Sequence, residues 1–213
     1  MLHRRMANNG CNPLEAAMNQ TAALLSQQPA PATVTPAGAR LGLFTFLDRE
    51  HQEIQQMLTG LHDVAESVDM DGLTPEVRRH ARALLDWFNG HAREHHLDEE
   101  LHVFPALLAH GDESTRALAN RLLQDHCWLE EDWLQIAPSL AAVADGFQWF
   151  DPDVLRHATQ VFIQLYLDHI VLEESVAYPQ AHRHIPDGEA ARMGQEMARR
   201  RALREAAAEA DGR

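Results

Sequence analysis

A short motif that occurs twice constrains this chain more than any other feature of its sequence. The first copy, HHLDEELHVFP, runs from His95 to Pro105, and the second, HIVLEESVAYP, runs from His169 to Pro179. Both read His-x-x-x-Glu-Glu, followed by three residues, an aromatic residue and a proline. A histidine and a glutamate four residues apart lie on one face of an α-helix, with Cβ atoms roughly 5–6 Å apart. Each copy can therefore offer two ligands to one metal ion.

The hydrophobic periodicity predicts an all-α fold. Apolar residues recur at steps of three and four in four successive segments, which is the pattern of amphipathic helices. Thr74–Pro75 and Asp151–Pro152 each place an N-cap residue before a proline, so they predict the starts of the second and fourth helices. We therefore predict an up-down-up-down four-helix bundle over residues 41–185. A proline-rich disordered leader over residues 1–40 precedes it, and a charged C-terminal surface helix over residues 186–213 follows it.

Two lone histidines fall on the core-facing stripes of the other two predicted helices. His51 lies on the first helix and His126 on the third. For each loop between two helices, the residues can be counted from the loop to the candidate ligand on either helix. The two counts differ by no more than about one helical turn, roughly 6 Å, so the candidate ligands share one level of the bundle. Polar groups on such a stripe are costly to bury unless something satisfies them, and a metal ion does so. The predicted ligands are His51, His95, Glu99, His126, His169 and Glu173.

The composition favours a cation site. The chain has 14 histidines and a formal net charge of −14, and neutral histidine is a metal ligand. The acidic excess argues against a nucleic acid or an anionic membrane as partner. The segment MLHRRMANNG lacks the apolar core of a signal peptide, and the longest apolar stretches are shorter than a membrane span. We therefore expect a cytoplasmic protein.

The doubled motif and the two lone histidines resemble the hemerythrin-like HHE domain over about residues 43–185. The resemblance implies a four-helix bundle around a non-haem di-iron centre, with or without an oxo bridge. It implies that Glu99 and Glu173 bridge two iron ions. The terminal ligands would be His51, His95, His126 and His169.

One position departs from the pattern of the oxygen-carrying hemerythrins, which place another histidine one turn after the ligand of the third helix. This chain has Glu130 there. If Glu130 binds iron, the site has four histidines and three carboxylates, a harder set that favours higher oxidation states. If Glu130 points away, one iron keeps an open position. His96 lies about 100° around the helix from His95, so we expect it to face solvent or to contact a ligand.

Three kinds of function are compatible with these features. The first is a module that binds O₂ or NO in gas or redox sensing, or that handles iron. A sensor of this kind would act through a protein partner, with the leader and the C-terminal helix as candidate contacts. The second is a di-iron enzyme that acts on peroxide or NO, or donates iron for iron–sulfur repair, and a ligating Glu130 favours it. The third is a metal-free bundle in which the histidines only pack.

Overall fold

The fold is all-α in the part of the chain that the computed structural model describes, residues 42–70 and 72–211. The leader predicted over residues 1–40 lies outside these residues. Helix α1 spans Leu43–Met70. Helix α2 consists of Pro75–Trp87, the π-helical turn Phe88–Ala92, Arg93–His102 and Phe104–His110. Helix α3 spans Glu113–Asp145. Helix α4 consists of Pro152–Leu172, the π-helical turn Glu173–Ala177 and Tyr178–His182. Helix α5 spans Asp187–Asp211.

Helices α1 to α4 form the predicted up-down-up-down bundle. Each helix packs against the preceding one, and α4 closes the ring by packing against α1. Two apolar clusters fill the interior. One contains Ile54, Leu58, Phe88, Trp133 and Phe162, and the other contains Leu43, Leu47, Phe104, Leu107 and Leu122. Burying each of these side chains stabilises the fold by about 1.5–3 kcal/mol. The clusters meet at the level of the histidines, so packed hydrocarbon encloses the candidate site from above and below.

Local capping fixes where the bundle helices begin and end. Thr74 Oγ1 accepts a hydrogen bond from the Val77 amide at 3.3 Å, and Asp151 Oδ1 accepts one from the Asp153 amide at 3.0 Å. Both predicted helix starts are therefore confirmed. Gly146 caps the C-terminal end of helix α3, and its φ of 81° is left-handed and suits a residue without a side chain.

Each motif helix contains a π-helical turn close to its motif. The turn in α2 ends at Ala92, three residues before His95. The turn in α4 begins at Glu173 itself. A π turn adds one residue to the helical repeat and rotates the register that follows, and such turns are frequent at functional sites. In this bundle they help to set which side chains face the interior at the histidine level.

The C-terminal helix α5 packs along α1. Ala190, Met197 and Arg201 are buried on its inner side. Leu203, which is 60% exposed, lies on its outer side. Across the described ranges, none of the helices combines the length and the apolar character that a bilayer span requires.

Candidate metal centre

Of the seven candidate ligands, all except Glu130 converge in the middle of the bundle as two overlapping sets. The first position is surrounded by His51, His95, Glu99 and Glu173. The second position is surrounded by Glu99, His126, His169 and Glu173. Within each set one ligand atom per residue lies within 4.8 Å of all the others, and every member is buried. The two carboxylates belong to both sets, so the arrangement can hold two metal ions bridged by Glu99 and Glu173.

The distances between ligand atoms suit ions of ordinary size. Two atoms that each lie about 2.0–2.2 Å from one ion are separated by at most about 4.4 Å. At the first position, His51 Nε2 lies 3.3 Å from Glu173 Oε2, and His95 Nε2 lies 3.5 Å from Glu99 Oε2. At the second, His169 Nε2 lies 3.0 Å from Glu173 Oε1 and 3.1 Å from His126 Nε2. A metal ion fits between the ligands at both positions.

Several ligand atoms have no hydrogen-bond partner among the described residues. They include both ring nitrogens of His95, both carboxylate oxygens of Glu173, and Glu99 Oε2. An unpaired buried polar group costs about 1–3 kcal/mol, and a charged one costs more. Buried polar side chains left unpaired at one level would be a poor core without a further group. Coordination to cations satisfies these nitrogens and neutralises the carboxylates, so the donor set fits metal ions.

The metal-free cluster holds displaceable protons. Burial, reinforced by the charge of Glu173, raises the pKa of Glu99 to about 7. Burial opposes protonation of His51, but its contacts with Glu173 and Glu174 outweigh burial and raise its pKa to about 10. Burial lowers the pKa of His95, and the neighbouring His51 lowers it further, which keeps His95 neutral. Because metals bind the deprotonated forms, metal binding at this site releases protons.

The second glutamate of each motif orients a lone histidine on a neighbouring helix. Glu100 Oε1 accepts a hydrogen bond from His126 Nδ1 at 2.9 Å. Glu174 Oε1 accepts one from His51 Nδ1 at the same distance. A carboxylate on the outer nitrogen fixes the tautomer and direction of a ligating imidazole and raises its basicity. The repeated Glu-Glu pair in the sequence therefore combines a ligand with the group that positions another ligand.

The residue before each lone histidine places a carboxylate near the outer nitrogen of a motif histidine, at a distance longer than a hydrogen bond. Glu50 Oε2 lies 3.7 Å from His95 Nδ1. Asp125 Oδ2 lies 3.7 Å from His169 Nδ1. All four candidate histidine ligands thus have an acidic group at the outer nitrogen. The pattern acid–His followed by His-x-x-x-Glu-Glu occurs once in the α1–α2 hairpin and once in the α3–α4 hairpin, which gives the centre an internal two-fold symmetry.

Glu130 does not join either ligand set. Its side chain is 48% exposed, and its Oε1 lies 3.7 Å from Arg93 Nε. Of the two arrangements considered from the sequence, the geometry agrees with the one in which Glu130 lies outside the ligand sets. The suggestion of a third carboxylate ligand therefore has no support in the geometry, because a surface carboxylate paired with arginine keeps its hydration.

Two residues near the ligands were not singled out as site residues. His96, for which solvent exposure was one expectation, is only 4% exposed and stacks on the His126 ring. The Tyr178 hydroxyl donates to Glu99 Oε1 and lies 3.2 Å from His51 Nε2. The signal for Tyr178 was its place in the repeat, where the first copy has Phe104, which cannot make such a bond.

Comparison with known proteins agrees with this geometry. A model of the hemerythrin HHE cation-binding domain matches residues 43–181. An uncharacterised protein of Haemophilus influenzae is 27% identical over 155 residues, which cover 73% of this chain and 87% of that protein. Residues 43–181, which the domain model matches, contain every residue of both ligand sets. This chain belongs to the hemerythrin HHE cation-binding domain family, whose members bind metal ions, typically iron.

Proposed function

We propose that this protein holds two iron ions as a non-haem di-iron centre, and that the centre binds O₂ or NO in gas or redox sensing or in iron handling. The observation that carries the proposal is the pair of buried ligand sets that share Glu99 and Glu173. A single-metal site would not need two carboxylates placed within reach of four histidines.

The chemistry of the donor set favours iron. Each position offers two imidazoles and two shared carboxylates, and imidazole with carboxylate suits iron with coordination positions left open. Bound iron supplies a change of oxidation state and a vacant position for a small ligand. The protein contributes neutral histidines oriented by carboxylates and an interior that excludes bulk water.

The second position is the one that we assign to an exogenous ligand. A cavity of about 310 Å³ lies on the far side of His96, whose ring stacks on His126. It is lined by Leu129, Trp133 and Phe162, together with His96 and Tyr166. The first position faces α1 and α4, where the Tyr178 ring stacks on His51 at 5.5 Å. None of the residues in the two ligand sets lines this cavity, so we propose that a small ligand reaches the iron that His126 and His169 would hold by passing the His96 side chain.

An enzyme that acts on peroxide or NO, or that donates iron for iron–sulfur repair, is the second candidate function. It is favoured by Tyr178, whose hydroxyl donates to a shared carboxylate within the centre. Burial and the charges of Glu99 and Glu173 raise the pKa of Tyr178 well above its ordinary value, so the hydroxyl keeps its proton at neutral pH. A positioned proton donor is what general acid catalysis at a reduced oxygen or nitrogen species requires.

A sensor needs a partner that reads the state of the centre, and we assign that contact to α5. The inner side of α5 reaches the surroundings of His95 through Arg201 and Glu50. Its outer side exposes Leu203. The leader remains a second candidate contact from the sequence.

Anaerobic loading with Fe(II), followed by optical spectra after adding O₂, NO or peroxide, tests these functions. The di-iron proposal expects two irons per chain, and fewer than one would overturn it. A reversible spectral change without consumption of the ligand supports the binding module. Consumption of peroxide or NO that slows in Tyr178→Phe, with iron retained, supports the enzyme. Glu130→Ala is the matched control, because we expect it to keep both irons.

A further inference from the structure

The cavity beside the second position is larger than a diatomic ligand needs. Its volume is about 310 Å³, and its wall contains the aromatic side chains of Phe88, Trp133, Phe162 and Tyr166. A cavity of roughly 150 Å³ already holds a benzene molecule, and pockets for small organic ligands begin at about 300 Å³. The size and the aromatic wall therefore suit a single substituted ring.

The inner end of the cavity carries two buried polar groups. His96 Nε2 and the Tyr166 hydroxyl lie 2.9 Å apart and are hydrogen-bonded. The other ring nitrogen, His96 Nδ1, is buried and has no hydrogen-bond partner in the described part of the chain. A neutral imidazole has one donor and one acceptor nitrogen, and a hydroxyl group can pair with either. The polar end of the cavity thus matches a ligand that carries a hydroxyl.

The orientation of His96 separates it from the metal ligands. Its ring stacks on the His126 ring with centroids 4.0 Å apart and only 11° between the planes. An imidazole binds a metal through a lone pair in the plane of its ring. The nitrogens of His96, His126 and His169 lie within 4.8 Å of one another, but two parallel stacked rings cannot both have the same ion in their planes unless one ring turns. We therefore expect that His96 is not a co-ligand of His126. It stands between the second position and the cavity.

The outer end of the cavity opens to solvent without a net charge. Arg93 and Glu130 line it as an oppositely charged pair with both side chains exposed. Leu134, which is 70% exposed, lines it as well. Asn89 Oδ1 accepts a hydrogen bond from Trp133 Nε1 at 2.9 Å, which fixes the indole ring of the wall. A balanced rim favours a neutral ligand over an anion or a cation.

We propose that this cavity binds a neutral monocyclic phenol, with its ring between the aromatic side chains and its hydroxyl at the His96–Tyr166 pair. The inference deepens the proposed function, because it names the class of organic substrate or effector that sits beside the second iron. It rests on the proposed function only for the statement that the bound phenol lies beside an iron ion. Binding of the ring needs no metal ion.

Phenol and toluene are the probes, titrated into the iron-loaded protein by calorimetry and by tryptophan fluorescence. We expect one phenol per chain, and we expect toluene to compete for the same site. His96→Leu keeps the side-chain volume and removes both nitrogens. The ratio of phenol affinity to toluene affinity should fall about three- to tenfold in this variant, since one hydrogen bond is lost. Iron should stay at two per chain, because His96 is not a ligand.

Ala92→Leu provides an independent variant, because Ala92 lines the cavity and the added carbons occupy its space. Both probes should then bind at least tenfold more weakly, while Ala158→Leu, which adds the same atoms outside this cavity, should change neither affinity. The inference is overturned if phenol shows no saturable binding, if the affinity ratio is the same in His96→Leu, or if Ala92→Leu binds normally. If the protein fails to take up iron but still binds phenol, the proposed function is wrong and the inferred phenol site is still supported.

Discussion

Arg201 of the C-terminal helix donates two hydrogen bonds to the carboxylate of Glu50, from Nη2 to Oε2 at 2.8 Å and from Nε to Oε1 at 3.2 Å. The same Glu50 oxygen that meets Nη2 lies 3.7 Å from His95 Nδ1. Arg201 also bonds to Glu94 and Asp98 of α2. Helix α5 thus reaches a histidine of the first metal position through one intermediate carboxylate. The equivalent acid of the other hairpin, Asp125, has Arg121 at 3.7 Å, with an arginine side chain that is 59% exposed.

We predict that Arg201→Ala weakens metal binding at the first position and spares the second. Without the guanidinium, Glu50 is free to turn toward solvent, and His95 loses the carboxylate that lies 3.7 Å from its outer nitrogen. That carboxylate is the group placed to accept a hydrogen bond from His95 when the histidine binds a metal. Removal of such an outer partner costs about 10- to 100-fold in metal affinity. Competition with a chelator of known affinity, followed by metal analysis, should show one ion per chain lost early and one retained.

Arg199→Ala is the matched control, because Arg199 is an exposed arginine on the same helix. It should leave both affinities unchanged. Equal weakening at both positions in Arg201→Ala would indicate a general loss of bundle stability instead, and circular dichroism of the metal-free variant separates that case.

We predict that removing a ligand of one set and removing a shared ligand leave different numbers of bound metal ions. His95 belongs to one set, whereas Glu173 belongs to both. His95→Ala should therefore reduce binding from two ions to about one, and Glu173→Ala should abolish tight binding of both. Metal analysis after gel filtration gives the counts. If Glu173→Ala kept one tightly bound ion, the shared-carboxylate arrangement would be wrong.

The fold was predictable because its signals are local. Three-and-four spacing of apolar residues, Thr74 and Asp151 before prolines, and Gly146 after a long helix act within a few residues of the sequence. The π-helical turns were not predictable in the same way. The turn Phe88–Ala92 lies within a continuous apolar periodicity, which does not show where one residue is added to the helical repeat.

The candidate site was predictable where the sequence repeats itself. Six predicted ligands meet in the bundle because helical spacing fixes which residues share a face. The orienting acids were harder to recognise, since Glu174 and Glu50 act on histidines of other helices. Their signal was present as the doubled glutamate and the acid before each lone histidine. Glu130 had correct spacing for a ligand, but spacing alone cannot distinguish a core-facing side chain from one that pairs with Arg93 at the surface.

We predict that metal removal lowers the thermal stability of the protein. The metal-free centre leaves buried nitrogens and oxygens of His95 and Glu173 without partners, and coordination satisfies them. A ligand at 100 times its dissociation constant stabilises the folded state by about 2.7 kcal/mol. For a chain of this size that corresponds to a rise of roughly 5–10 °C in Tm. Scanning calorimetry before and after chelation measures it, and an equal Tm in both states would contradict tight binding.

We predict that Glu196→Gln destabilises the protein at neutral pH and has a smaller effect in acid. Burial alone would raise the pKa of Glu196, but bonds from His102 of α2 and from Arg200 of α5 itself lower it from 4.5 to about 2. A carboxyl group whose pKa is depressed by folding stabilises the native state above its unfolded pKa. That contribution disappears as the pH falls through the folded value. Because the side chain is 49% exposed, we expect a difference of about 1 kcal/mol or less.

Urea unfolding of Glu196→Gln and the native protein at pH 6 and at pH 3.5 measures this linkage. The difference in free energy of unfolding should be largest at pH 6 and should shrink at pH 3.5, where the unfolded carboxyl group is largely protonated. High salt should reduce the pH 6 difference, since screening weakens a partly exposed ion pair. Glu205→Gln removes one charge from an exposed position of α5 and controls for net charge. A difference for Glu196→Gln that is constant with pH would show that the ion pairs of Glu196 with α2 and α5 do not stabilise the packing of the C-terminal helix.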